Sequence, residues 1–136
     1  MFPKDTKILA VDDMLMMRKF VKKSLVENGY ENVTIADDGD TAWPEIEKSI
    51  AEKAPFQLIV CDWNMPRMTG LALLKKVRET EGIKGVPFIL LTAESEKEQI
   101  AEAVKSKVSD YILKPFTVES LMGRINKLHE RLNPKK

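Results

Sequence analysis

Five side chains able to do ionic chemistry stand at the ends of short apolar runs. Asp12 and Asp13 follow KILAV, Asp62 follows QLIVC, Thr92 follows PFILL and Lys114 follows DYIL. Three carboxylates, a hydroxyl and an ammonium form a set suited to holding a cation and handling an anionic group. Carboxylates brought together repel one another and lose hydration, so such a set calls for positive charge. Lys114 supplies one source. A hard divalent ion with oxygen ligands would supply another, and Mg²⁺, which keeps several waters, suits a shallow acidic rim. Plainer readings stand beside this one: Asp12-Asp13 as a cap on the next helix, Thr92 as an ordinary strand-end hydroxyl, Lys114-Pro115 as a turn.

These groups can meet only if the runs before them are strands of one sheet. The runs lie at 7–11, 32–36, 57–61, 87–91 and 110–113, and three are apolar almost throughout, as strands covered on both faces should be. Helical spacing separates them. Met17, Phe20, Val21 and Leu25 share one face before Asn28-Gly29, a good helix stop. Leu71, Leu74 and Val77 do the same before Gly82, and Ser95 with Glu98 predicts a capping box opening a helix through Ile100, Val104 and Ser106. Val118, Leu121, Ile125, Leu128 and Leu132 stripe the last helix, with Thr117 as N-cap. After Gly39 the pattern is less regular: Pro44 lacks an amide that a helix starting at Asp38 would use, which predicts a late start or a kink. Alternating strands and helices predict an α/β fold, a doubly wound five-stranded parallel sheet with right-handed crossovers. In such a sheet the ligand site lies outside the carboxyl ends of the strands, where the five side chains stand.

Composition narrows the class. The chain has 136 residues, 43% apolar and 32% charged, with a net charge of +1. That fits one domain over residues 1–136 and gives no reason to expect nucleic acid or an anionic membrane as partner. One cysteine excludes an internal disulfide framework and, with no signal-peptide stretch or run of about 20 apolar residues, points to the cytoplasm.

The motifs VDD at 11–13, CDWNMP at 61–66, LLTAE at 90–94 and YILKPFT at 111–117 resemble the receiver domain of two-component response regulators, nearest the stand-alone chemotaxis type. The resemblance covers residues 6 to 132 and leaves no stretch for an output domain. It implies the flavodoxin-like strand order 2-1-3-4-5, one of those that periodicity permits. It also implies that Asp62 is the phosphoacceptor, taking a phosphoryl group from a histidine kinase with Mg²⁺ as cofactor. Asp13 matches the direct metal ligand, Asp12 the second acid, and the backbone carbonyl of Asn64 the remaining protein ligand. Lys114 matches the residue that neutralises the phosphoryl group, Thr92 the switch hydroxyl and Tyr111 the aromatic that moves with it. Pro115 matches a cis proline. Ala93, Asn64 and Glu94 occupy positions that tune dephosphorylation, and a small Ala93 predicts a short-lived phosphoryl state. The implied output is a face on helix 4, strand 5 and helix 5 that binds the flagellar motor switch, with a phosphatase as a further partner. The alternative is a phosphate sink, or another stand-alone receiver with a non-motor target. In neither case is the chain an enzyme beyond its own phosphoryl transfer and autodephosphorylation.

Other classes fit less well. Phosphatases with an aspartate nucleophile want a second acid two residues on, where Asn64 stands, and a flavin site would need a phosphate cradle in place of the acidic DDMLMM. The chain departs from the family pattern in two places. The segment from 39 to 62 is longer by roughly one helical turn, predicting that 45–53 extends the second helix. Near Lys107 a glycine is missing, and Lys105 with Lys107 makes the output face more basic. Cys61 is expected as a core thiol, Trp63 as loop packing and a useful fluorophore, and His129 on the surface. Met14, Met16 and Met17 are expected in the core and on the helix surface, and 94–107 as a mostly solvated face.

Overall fold

The structure, a computed structural model, describes residues 2–93 and 97–133, with only the backbone at Lys97 and Glu98. Strands β1 (Ile8–Val11), β2 (Val33–Ala36), β3 (Leu58–Asp62), β4 (Phe88–Thr92) and β5 (Asp110–Leu113) alternate with helices α1 (Leu15–Glu27), α2 (Gly39–Ala51), α3 (Gly70–Arg78), α4 (Lys97–Lys105) and α5 (Val118–Leu132). All pairings are parallel and the order is β2-β1-β3-β4-β5, a flavodoxin-like doubly wound sheet. The connections reverse direction between β1 and β3, so the crevice at their carboxyl ends is where a ligand site belongs.

Strand alternation sorts the apolar residues into two cores. Leu9, Val11, Ile59, Cys61, Phe88 and Leu90 face one side, against Ile46, Leu73, Leu74 and Val77 of α2 and α3. Ile8, Ala10, Leu58, Val60, Ile89 and Leu91 face the other, against Val21 and Leu25 of α1 and Leu121, Ile125 and Leu128 of α5. β3 and β4 are buried at every position, whereas the edge strand β2 exposes Ile35.

The helices correct several expectations. Helix α2 starts on time at Gly39 despite Pro44, because Asp38 caps it and Thr41 completes a reciprocal capping box. It ends at Ala51, two residues short of the expected extension, where Lys53 turns into the left-handed region (φ 59°). The Ser95–Glu98 box lies outside the described residues. Among the described side chains of α4, Ala103 is buried and Val104 is 60% exposed, in keeping with the mostly solvated face expected of 94–107. Lys107 takes the missing glycine's role directly, with φ 65° and the paired end bonds Lys107 N–H to Val104 O (3.0 Å) and Val108 N–H to Ala103 O (3.1 Å). Thr117 caps α5 as expected, its Oγ1 accepting from Ser120 N–H (3.1 Å). His129 is not a free surface residue: it is half-buried, edge-to-face with Phe2 at 4.8 Å between ring centroids. Met14 and Met16 are well exposed, with only Met17 tucked partly in.

Candidate functional site

Parallel register carries the functional groups to one rim. Val11 pairs with Cys61, Asp62 with Leu91 and Thr92 with Leu113, so the residues following these positions emerge at a common level. The chain leaves β1 with Asp12 N–H still bonded to Ala36 O (3.2 Å), and leaves β3 with Trp63 N–H on Leu91 O (2.8 Å). Lys114 N–H donates to Thr92 O (2.7 Å), which sets the ammonium arm beside the end of β4.

From there the Lys114 Nζ reaches Asp62 Oδ1 at 2.9 Å and Asp12 Oδ2 at 3.3 Å. The carboxylates of Asp12, Asp13 and Asp62 offer oxygens that lie within 4.8 Å of one another. Asp12 and Asp62 are 2% and 4% exposed, while Asp13 faces solvent. The capping reading of Asp12-Asp13 is not what forms. The N-cap of α1 is Met14 with no side-chain cap bond, and Asp12 Oδ1 instead accepts from the Met14 N–H (2.9 Å) in a turn ahead of the helix.

One ammonium does not neutralise this group. Burial pushes Asp62 up from 3.8 to about 6, with Asp12 adding to the rise and the Lys114 bond opposing it. Burial likewise raises Asp12, against the Met14 amide and Lys114. Burial alone would lower Lys114, but the carboxylates of Asp62 and Asp12 together outweigh it and hold the ammonium above its ordinary value. Two buried acids held above the usual carboxylate range, plus an exposed third within reach, are a donor set that fits a hard divalent cation such as Mg²⁺.

The remaining expected residues are arranged around this point. Thr92 is buried at the end of β4, Asn64 is exposed in the loop after β3, and Ala93 is exposed just past Thr92. Glu94 lies outside the described residues. Tyr111 is half-buried opposite Leu90 and packs on the core beneath α2 and α3. It also borders a groove of about 400 Å³ shared with Leu113, Pro115, Phe116, Ser120 and Arg124. The Lys114-Pro115 peptide is cis. Cys61 is a buried free thiol, pushed well up by burial, its Sγ near the Asp62 carbonyl oxygen (3.3 Å).

Three features were missed in the sequence. Arg18 donates to Asp12 O (2.9 Å), bracing the acidic turn from α1. Arg124 donates to Asp110 Oδ1 (2.7 Å) and Tyr111 O (2.9 Å), tying α5 to β5 at the groove. Gly70 lets α3 start against the site, for a Cβ there would sit 2.2 Å from the Asp62 carbonyl oxygen. Only the last had a signal, a glycine at a helix start.

Residues 8–126 match the family described as response regulator receiver domain. The chain is 45% identical over 129 residues to chemotaxis protein CheY-3 of Vibrio cholerae serotype O1, covering 95% of each chain. It is 43% identical over 127 residues to chemotaxis protein CheY of Pseudomonas aeruginosa, covering 93% of this chain and 98% of the other. Among solved structures, chemotaxis response regulator CheY4 of Vibrio cholerae superposes with a TM-score of 0.81 at 35% identity, over 91% of this chain and 98% of that one. Sheet order, the acidic rim and these likenesses agree: the chain belongs to the receiver-domain family of two-component response regulators, with chemotaxis proteins of the CheY type among its relatives.

Proposed function

We propose that this protein is a chemotaxis response regulator whose Asp62 accepts a phosphoryl group from a phosphohistidine of a partner kinase. A carboxylate oxygen of Asp62 attacks phosphorus, the phosphorus–nitrogen bond breaks, and the histidine leaves with the electron pair. The product is an acyl phosphate. In-line transfer of this kind needs positioning and charge neutralisation more than covalent machinery. Lys114 meets the developing charge from the β5 side, and Thr92 offers a hydroxyl to the added oxygens. Asp12, Asp13, Asp62 and the Asn64 carbonyl would hold Mg²⁺, which when bound supplies the remaining positive charge. The chain has no other substrate in this reading, so it is not an enzyme beyond its own transfer and the hydrolysis that releases phosphate and frees the Asp62 carboxylate. Exposed Ala93 leaves water and small donors a path to the site.

The observation that carries the reading is the Lys114 ammonium bonded to two buried acids from β1 and β3, with Asp13 alongside. Output follows from the added charge of about −1.5 to −2. Thr92 turning toward it changes the packing next to Tyr111, and the groove between β5 and α5 becomes the surface read by the flagellar motor switch. The test is Trp63 fluorescence with Mg²⁺ and beryllofluoride or acetyl phosphate, in a Trp43→Phe background that removes the other tryptophan. A Mg²⁺-dependent change in the parent, absent in Asp62→Asn, is expected. No response, or an equal one in Asp62→Asn, would overturn the mechanism. Binding of a motor-switch peptide only by the beryllofluoride form is the expected output, and its absence would favour a phosphate sink.

A further inference from the structure

We propose that Asp38 is a positioning residue for the cation site, acting through the loop that follows Asp62; this rests on the function proposed above. Asp38 is 1% exposed and caps α2, its Oδ1 accepting from Asp40 N–H (3.0 Å). Its side chain also accepts from the Thr41 N–H in the capping box, and for capping alone asparagine or serine serves about as well. A carboxylate buried this deeply is costly unless its second oxygen is also satisfied. That oxygen, Oδ2, accepts from the backbone N–H of Arg67 at 3.2 Å, with Arg67 Nε 3.6 Å away.

Arg67 is 29 residues further along the chain, in the loop 63–69 between β3 and α3. That loop contains Asn64, whose carbonyl is the proposed ligand. Its base is closed by Gly70 N–H on Trp63 O (2.9 Å). Its far limb rests on the start of α2, where a Cβ on Gly39 would come within 2.6 Å of the Met68 Cβ. The Arg67 guanidinium also approaches Asp40 Oδ2 (3.9 Å), but the side chain is 60% exposed and this pair is a surface contact. The part-buried bond from the loop amide to Asp38 is therefore the tie that fixes where the Asn64 carbonyl points. Groups that orient metal ligands from behind commonly change affinity 10- to 100-fold when removed.

Asp38→Asn separates the two roles, since its single oxygen keeps the cap while its amide nitrogen faces the Arg67 N–H, donor against donor. Mg²⁺ alone is titrated against Trp63 fluorescence in the Trp43→Phe background, at 0.1 M and at 1 M KCl. The dissociation constant is expected to rise about tenfold at both salts, with little change in the urea unfolding midpoint of the metal-free protein. Asp38→Ser, which also caps through one oxygen, should match it. Arg67→Ala, which keeps the amide, should change affinity less than about threefold. Unchanged affinity in Asp38→Asn and Asp38→Ser overturns the proposal. So does a loss that fades at 1 M salt, where screening acts within about 3 Å and only the missing charge would be responsible. A parent protein that shows no Mg²⁺ response at all refutes the proposed function instead, so the two failures are told apart.

Discussion

Replacing Asp62 by asparagine should make the metal-free protein more stable, by an amount that grows with pH. The unfolded chain gives up the Asp62 proton near 3.8, whereas burial delays this in the folded protein to about 6. Between those values the folded state binds more protons than the unfolded state, so wild-type stability falls as pH rises. A rise from 3.8 to about 6 corresponds to ~3 kcal/mol lost by the time both states are ionised. Asparagine does not titrate and escapes this loss. Asp12, raised in the same direction by its own burial, is present in both proteins, and losing the Asp62 charge beside it adds to the advantage of the variant. The assay is urea unfolding followed by circular dichroism from pH 4 to pH 7.5 in Mg²⁺-free buffer. The advantage of Asp62→Asn should be small near pH 4 and approach ~3 kcal/mol above pH 6.5. Mg²⁺ at ten times its dissociation constant should then stabilise the wild type by about 1.4 kcal/mol and narrow the gap. An advantage that is flat with pH, or that shrinks as pH rises, would refute the claim that burial without sufficient counter-charge sets the character of this site.

Three further outcomes are expected. Lys107→Gly should raise stability by about 0.5–1 kcal/mol in urea unfolding, because φ 65° strains a lysine and suits glycine. Pro44→Ala should stabilise by roughly 1–3 kcal/mol, since an amide at position 44 would again meet the Asp40 carbonyl inside α2; a loss of stability would show that the proline is accommodated without cost. Gly70→Ala should weaken Mg²⁺ binding and lower the unfolding midpoint together, as its Cβ cannot stand 2.2 Å from the Asp62 carbonyl oxygen without moving the end of β3.

Much of this was legible in the amino-acid order because the middle strands are covered on both faces. LIVC and FILL have no polar position to spare, so the next polar residue marks the strand end and the rim. The convergence of Asp12, Asp62 and Lys114 followed from parallel topology rather than from any local signal. Reading by period fell short in places. Val104 continues the apolar spacing of α4 on its solvated side, while Ala103 is the position that is buried. His129 looked exposed because nothing nearby in sequence announces that Phe2 folds back onto it. Helix α2 looked late because Pro44 was given more weight than the Asp38 and Thr41 pair, which form a reciprocal capping box and start the helix at Gly39. The missing glycine at Lys107 was different: the need for a left-handed residue was readable, and the lysine simply supplies it.

Lys114 pairs with an acid 102 positions earlier, Asp12 at the end of β1, and does so from the strand at the far edge of the sheet, across β4 and β3. A nascent chain still short of β5 therefore carries Asp12 and Asp62 without the Lys114 ammonium that offsets them. Under the proposed function, the acceptor site is complete only once the last strand is in place.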